Sequence, residues 1–401
     1  MENNIKAMLL SAVLLSGSCS SSEDGRISWG RLPDLPNPPS VSEYLSVPLG
    51  VSAPFTGLLG ETLVVAGGCN FPDKPVADGG CKRFYDEIWA LDLSGNANAW
   101  KLVGHLPRAL AYGCSVTTPS GIVCVGGNDS ERSFAECFSL RWSADRSEIV
   151  AHPLQSLPCT VDNSSTAFSS GSVFVAGGNC DGQPSRMVFR GDLSPEGDSI
   201  QWNKMSDFPG PARVQPVLAA IGSGTDLQVC LAGGFQPGDN KVPPQIPSNV
   251  LVWKENEWTE VSSLPTLSDG SPRTLTGGCA VAMADNSVLF FGGVNYDCFF
   301  AAVDRPRCIA EAEAAGDSLT VAKLKEEGRE YLRHDVSWYK FNDDLWLYNI
   351  ASGEWKCLGT NESLARAGAG AVICENNVFI VCGELKPGIR TPQVSVVTIN
   401  E

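Results

Sequence analysis

Val64-Val65-Ala66-Gly67-Gly68, Val123-Cys124-Val125-Gly126-Gly127, Val173-Phe174-Val175-Ala176-Gly177-Gly178, Val229-Cys230-Leu231-Ala232-Gly233-Gly234 and Leu289-Phe290-Phe291-Gly292-Gly293 are copies of one phrase, a run of β-formers ending in paired glycine. A further run, Phe379-Ile380-Val381-Cys382-Gly383-Glu384, reads as keeping the first glycine and placing an acid where the second belongs. The first glycines are separated by 59, 51, 56, 59 and 91 residues, so four intervals approximate one repeat length and the last is enlarged. Such a period marks a repeat architecture. A second signature runs in phase: Trp29-x-x-Leu32-x-x-Leu35-Pro36 recurs as Trp100-x-x-Val103-x-x-Leu106-Pro107, Trp202-x-x-Met205-x-x-Phe208-Pro209 and Trp258-x-x-Val261-x-x-Leu264-Pro265. Degenerate copies stand at Leu154-x-x-Leu157-Pro158 and Trp355-x-x-Leu358.

Between the two signatures lies a third strand, as at Asp86 to Leu93, Arg186 to Leu193, Asn249 to Trp253 and Asp343 to Asn349. Each unit thus offers about four short strands in roughly 50–60 residues and resembles the kelch repeat, whose radial stacking makes a β-propeller. The expected fold is all-β, a six-bladed kelch propeller over 27–401. Ala371 to Ile399 supplies three strands of the closing blade, and the Trp29 copy, which no Gly-Gly unit precedes, supplies the fourth. Pairing of N- and C-terminal strands leaves no open sheet edge.

The enlarged interval has a compositional cause. Asp297 to Asp335 is rich in Ala, Glu, Lys and Arg, and Val321, Leu324, Gly328, Tyr331 and Leu332 recur at helical spacing, with Ser318 placed to cap the start. This predicts a helical insertion in the fifth blade, bounded at 294–340, either packed on the rim or lying over the central pocket as a lid.

Composition narrows the function. With 29 basic and 45 acidic residues the net charge is −16, which repels phosphate backbones, and no basic stripe compensates, so a nucleic-acid partner is not expected. At the N-terminus, Lys6 precedes the apolar run Ala7 to Leu15, and small residues lead to Cys19 and a serine-acidic stretch. The run is too short to span a bilayer and reads as an export signal over 1–18, followed by a linker over 19–26. Leu15-Ser16-Gly17-Ser18-Cys19 resembles a bacterial lipoprotein signal, with Cys19 as the lipidated residue. The expected location is therefore the periplasm, or the outer membrane or cell surface by a lipid anchor. Beyond Cys19, 14 cysteines remain, compatible with up to seven disulfides in an oxidising compartment, although Cys124, Cys230, Cys374 and Cys382 sit in apolar strand runs and equally suit the core.

In a propeller blade, the loop after the second strand and the connection into the next blade open on the same face. Arg108, Arg213, Arg273 and Arg366 all fall shortly before innermost strands, which suggests a positive funnel in an acidic body, or else pairing with local carboxylates and carbonyls. Glu384 stands where a repeat breaks its own rule, six residues before Arg390 on a loop tightened by Pro387-Gly388.

At these residues the chain resembles the N-acetylneuraminate epimerases (sialic acid mutarotases), six-bladed kelch propellers of the bacterial periplasm. The resemblance rests on Gly383-Glu384-x-Lys386-Pro387-Gly388-x-Arg390-Thr391, on Gly292-Gly293-Val294-Asn295 followed by a helical insertion, and on Trp338-Tyr339-x-Phe341-Asn342. The order of units looks circularly permuted, since Gly67-Gly68-Cys69-Asn70-Phe71 resembles a unit near the end of the simplest members. The resemblance implies conversion of the α- to the β-anomer of N-acetylneuraminate without cofactor or metal. Glu384 would transfer protons and Arg390 would hold the sugar carboxylate, with Arg108, Arg213 and Arg366 as further substrate contacts by position and Asn295 for a hydroxyl or the N-acetyl group. A non-catalytic glycan- or protein-binding kelch module is the rival. A sialidase would need Asp-box turns, which are not recognisable, and copper chemistry would need more than the scattered His105, His152 and His334.

Overall fold

The computed structural model describes residues 20–21, 27–95, 99–283 and 286–400; the export signal expected over 1–18 and the lipid acceptor Cys19 lie outside them. The fold is nearly all-β and antiparallel. The first sheet takes Phe55–Leu58, Thr62–Ala66, Glu87–Asp92 and Lys101–His105 in chain order, and the same succession recurs from Cys114–Thr118, Ser165–Ser169, Val214–Ile221 and Gly278–Ala282. In the last sheet Gly370–Cys374, Asn377–Val381 and Val394–Ile399 are joined by the N-terminal strand Ile27–Leu32, with Trp29 opposite Val397. Ser20–Ser21 adds an edge pairing beyond it.

The strand alternation explains how the sheets hold together. Successive side chains of a strand point to opposite faces. Thus Val64 and Ala66 pack with Ile122 and Cys124 of the second sheet, while Leu63 and Val65 of the same strand pack with Val381 and Val394 of the last. Ile122 and Cys124 in turn face the first sheet, and Val123 and Val125 face Val173 and Val175 of the third. Because both faces are covered, Gly121–Val125 and Ser172–Ala176 are buried along their whole length, which is why these strands read as continuous apolar runs. The tryptophan motif has its own cause. Trp100 donates its indole N–H to the Pro33 carbonyl, Trp202 to that of Gln155 and Trp258 to that of Ser206, so each outer strand is tied to the Leu-Pro segment of the sheet before it.

At the centre the innermost strands are joined by a closed circuit of backbone hydrogen bonds. Tyr112 N–H donates to the Ala53 carbonyl at 3.1 Å, Asn163 to Tyr112 at 2.7 Å, Gln215 to Asn163 at 2.8 Å, Gly277 to Gln215 at 3.2 Å, Gly368 to Gly277 at 2.7 Å, and Ala53 to Gly368 at 2.8 Å. All of these residues have positive φ. The circuit therefore forces the left-handed conformation on Tyr112, Asn163 and Gln215, which glycine would adopt without strain.

The glycine pairs sit one step outward, and here the last repeat departs from its sequence alignment. The first glycine bonds the foot of its own third strand: Gly67 N–H donates to Glu87 and Gly126 to Glu136. The second bonds the next sheet: Gly68 to Leu110, Gly127 to Val161 and Gly178 to Arg213. In the last sheet Cys382 N–H donates to Gln393 and Gly383 to Val51. Cys382, with φ of +54°, therefore stands at the first glycine position and Gly383 at the second. Glu384 does not replace a glycine; it follows the pair, equivalent to Cys69, Asn128, Asn179, Phe235 and Val294.

The insertion forms two helices, Tyr296–Ala314 and Ser318–Tyr331, between the second and third strands of the fifth sheet. Asp317, not Ser318, caps the second helix by accepting from Thr320 N–H. The insertion crosses toward other sheets on the glycine-pair face. Phe299 packs edge-on against Phe235 of the fourth sheet at 4.9 Å, and the Lys386 ammonium of the last sheet donates to the His334 carbonyl. Arg333 donates to Asp78 at 3.1 Å and to the Ala77 carbonyl at 3.0 Å, in the first sheet's loop. The described cysteines are all free thiols, with Cys124, Cys230 and Cys382 buried as small core residues. Burial pushes the Cys230 and Cys382 thiols up to about 12.

Candidate functional site

A cavity of about 180 Å³ runs along the axis, lined by the residues of the hydrogen-bonded circuit and by the first residues of the innermost strands. The circuit is chemically lopsided. Ala53, Gly277 and Gly368 leave room, whereas Tyr112, Asn163 and Gln215 present polar side chains, with Gln215 Nε2 donating to Asn163 Oδ1 at 3.0 Å. Asp162 fixes Asn163 from behind, accepting from its Nδ2 at 2.6 Å and from Asn179 Nδ2 at 2.8 Å.

Glu384 and Arg390 come together beside the small-residue side. Glu384 is paired through its backbone with Ala367, next to Gly368 of the circuit, and begins a hairpin whose return strand, Ile389–Arg390, places Arg390 opposite it. Gly388 takes φ of +85° to make the turn and donates its N–H to Glu384 Oε1 at 2.7 Å. Arg390 Nη1 lies 3.1 Å from Glu384 Oε1, with side chains 3% and 26% exposed. Arg390 Nε donates to Ser52 Oγ at 3.0 Å, next to Ala53 of the circuit, and the guanidinium sits 4.8 Å from the centre of the Phe71 ring. This enclosure sets the guanidinium to orient and charge-balance Glu384.

The other arginines do not form a funnel. Two residues before each position of the circuit stand Val51, Leu110, Val161, Arg213, Leu275 and Arg366, all buried. Arg213 and Arg366 thus occupy a core position that is apolar in the other repeats, and neither offers a surface to a ligand. Arg213 donates to the carbonyls of Gly233 at 3.1 Å and Asn249 at 3.5 Å and to Asn249 Oδ1 at 2.6 Å. Arg366 makes the same pattern in the last sheet, with Cys382 at 3.1 Å, Gln393 at 2.8 Å and Ser395 Oγ at 3.1 Å. Burial lowers both guanidinium groups to about 10, so they remain cationic at neutral pH. Arg108 and Arg273 share a different register, two residues earlier still. Arg273 is locked to Asp344 by paired bonds of 2.6 Å, and Arg108 lies on the rim, 3.1 Å from Glu136 and over the Phe134 ring. Asn295 lies at the start of the insertion. It is buried, and its Oδ1 caps the first insertion helix by accepting from Cys298 N–H at 3.1 Å.

Tyr112 and Lys82 complete the mouth and were not among the expected site residues. The Lys82 ammonium donates to the Tyr112 phenol oxygen at 2.8 Å. Burial raises the Tyr112 phenol well above its ordinary pKa, with Cys69 and the Glu384 carboxylate adding to the rise and Arg390 opposing it. Tyr112 thus lies within electrostatic reach of the ion pair and also lines the axial cavity. Tyr112 stands two residues after Leu110, the position that Val51, Val161, Arg213, Leu275 and Arg366 take in the other repeats, and aligning the repeats on that position would have singled it out. From the insertion, Tyr331 lies within electrostatic reach of Glu384; burial raises its phenol too, with Tyr339, Cys298 and Glu384 adding to the rise and Arg305 opposing it.

The N-acetylneuraminate epimerase family model matches residues 2–149 and 154–401. Among curated proteins, the N-acetylneuraminate epimerase of Salmonella typhimurium is 28% identical over 262 residues, covering 64% of this chain and 60% of that protein. That of Pasteurella multocida is 28% identical over 208 residues, 51% of this chain and 49% of that protein. The chain therefore spans about half of the length of the curated relatives it matches. A solved structure titled "Structure of YjhT" superposes with a TM-score of 0.58 over 92% of this chain and 97% of that one, at 14% identity, a likeness of fold.

Proposed function

This chain belongs to the N-acetylneuraminate epimerase family, and from that premise we propose that it is an isomerase interconverting the α- and β-anomers of N-acetylneuraminate by acid/base ring opening. The observation that carries the reading is the Glu384–Arg390 ion pair held beside the axial cavity. In the α-anomer, Glu384 accepts the proton of the anomeric hydroxyl. The bond from the anomeric carbon to the ring oxygen breaks, its electron pair going to that oxygen, which gains a proton, and a keto group forms. Rotation and closure on the other face give the β-anomer, so protons and electrons balance without a cofactor. Arg390 keeps Glu384 aimed at the substrate, and Asn163 and Gln215 supply hydrogen bonds to hydroxyls across the mouth.

The scaffold for this chemistry is read as a six-bladed kelch propeller over 27–401, closed by the pairing of Ile27–Leu32 with Val394–Ile399 and carrying its insertion over 294–340. The closed backbone circuit supports that reading. NMR of freshly released α-anomer tests the activity: catalytic amounts of the protein should accelerate its conversion, and a rate equal to the spontaneous one would leave a binding module instead. Residues 1–18 are taken as an export signal and Cys19 as a lipid acceptor, placing the propeller in the periplasm or on a membrane surface. Cys19→Ala should then move the protein from the membrane fraction to the soluble one. A wild type already soluble would remove the anchor from the proposal.

A further inference from the structure

Ring opening needs a proton on the ring oxygen as well as a base for the anomeric hydroxyl, and Glu384 provides only one of these. Gly368, Ala53 and Tyr112 are consecutive positions of the backbone circuit. Glu384 is paired beside the first, Arg390 is bonded beside the second, and the third carries a phenol. Gly368 and Ala53, which separate the carboxylate from the phenol along the circuit, are small, and the axial cavity reaches both of them and Tyr112. Tyr112 holds this place at a cost: its φ is +59°, a conformation that a bulky residue adopts only when its surroundings impose it, while Gly277 and Gly368 fill equivalent positions without strain.

We propose that Tyr112, backed by Lys82, is the second proton-transfer group of this site, delivering a proton to the ring oxygen while Glu384 takes the anomeric one. The inference rests on the mutarotase reading above. Lys82 donates to the phenol oxygen, which directs the phenol hydrogen away from the ammonium, with the Cys69 thiol as the neighbouring acceptor that a substrate ring oxygen would replace. As the ring carbon–oxygen bond breaks, the O–H bond of Tyr112 breaks with it, the proton passing to the ring oxygen and the electron pair staying on the phenolate. The adjacent ammonium stabilises that charge. On closure the phenolate recovers the proton and the Glu384 carboxyl returns its own, so neither group is consumed. Burial keeps the phenol neutral between turnovers, as an acid must be.

The test is anomer exchange followed by NMR with wild type, Tyr112→Phe, Lys82→Met and Lys82→Arg. Tyr112→Phe should lower kcat by roughly 10²-fold or more with little change in KM. Lys82 is exposed, so Lys82→Met folds; it should lower kcat in the same direction, and Lys82→Arg should restore part of the loss because the cation is kept. Tyr112→Phe exchanging at the wild-type rate would overturn the assignment of Tyr112. A Lys82→Met protein with raised KM and unchanged kcat would make Lys82 a carboxylate anchor and overturn its supporting role. Wild type without any acceleration would instead remove the mutarotase reading itself, an outcome distinct from both.

Discussion

Glu384→Gln should reduce catalysed anomer exchange by roughly 10²–10⁴-fold while leaving the propeller folded. The amide is isosteric, and its oxygen can still accept from Gly388 N–H, the 2.7 Å bond that shapes the hairpin. What disappears is the proton acceptor. The change also leaves Arg390, 3% exposed, without its counter-charge, and because Glu384 itself is 26% exposed, water replaces part of the lost interaction. A stability loss of about 1–2 kcal/mol is therefore expected, too small to unfold the chain. Far-ultraviolet circular dichroism and a melting curve recorded beside the NMR assay separate the two effects. Exchange at the wild-type rate in a folded Glu384→Gln protein would show that the carboxylate is a structural partner of Arg390 and nothing more.

Much of the scaffold was legible because it follows from local rules applied repeatedly. The glycine pairs are required by backbone hydrogen bonds that need positive φ, and the tryptophans by an indole N–H that reaches the preceding sheet. The first requirement recurs in every sheet and the second in most of them, so both leave a period. Glu384 and Arg390 were legible for a different reason, a short motif on one hairpin, where six residues of separation fix the pairing across the turn. The arginines were misread because position along the chain does not say which way a side chain turns. Arg213 and Arg366 stand where other repeats have Val or Leu, so register alone marked them as inward-facing, and their polarity is satisfied by carbonyls within their own sheets. Glu384 was matched to the wrong partner for a related cause: the alignment assumed that Gly383 must be a first glycine, whereas Cys382 adopts that conformation despite its side chain. Tyr112 and Lys82 are 30 residues apart and meet only through the fold.

Arg366→Ala carries the second large effect, and it is an effect on stability. The guanidinium satisfies the Cys382 and Gln393 carbonyls and Ser395 Oγ in a region closed to water, and its side chain is among the largest that are fully buried. Truncation orphans the Cys382 carbonyl at about 1–3 kcal/mol, while Gln393 keeps the bond from Cys382 N–H, and it opens a cavity, so a loss of about 3–5 kcal/mol is expected. In a domain of this size that lowers the melting temperature by on the order of 5 °C or more. Arg213→Ala should match it, since Gly233, Asn249 and the Asn249 side chain form the same set of acceptors in the fourth sheet. The two variants differ in their distance from the ion pair. Arg366 bonds the Cys382 carbonyl, two residues before Glu384, so its loss should also slow anomer exchange through a misplaced carboxylate, whereas Arg213→Ala should leave exchange in the folded fraction nearly intact. A substrate clamp would behave in the opposite manner, raising KM with an unchanged melting temperature. Calorimetry and KM measured on both variants decide between the two roles, and an Arg366→Ala protein that melts with the wild type would refute the structural one.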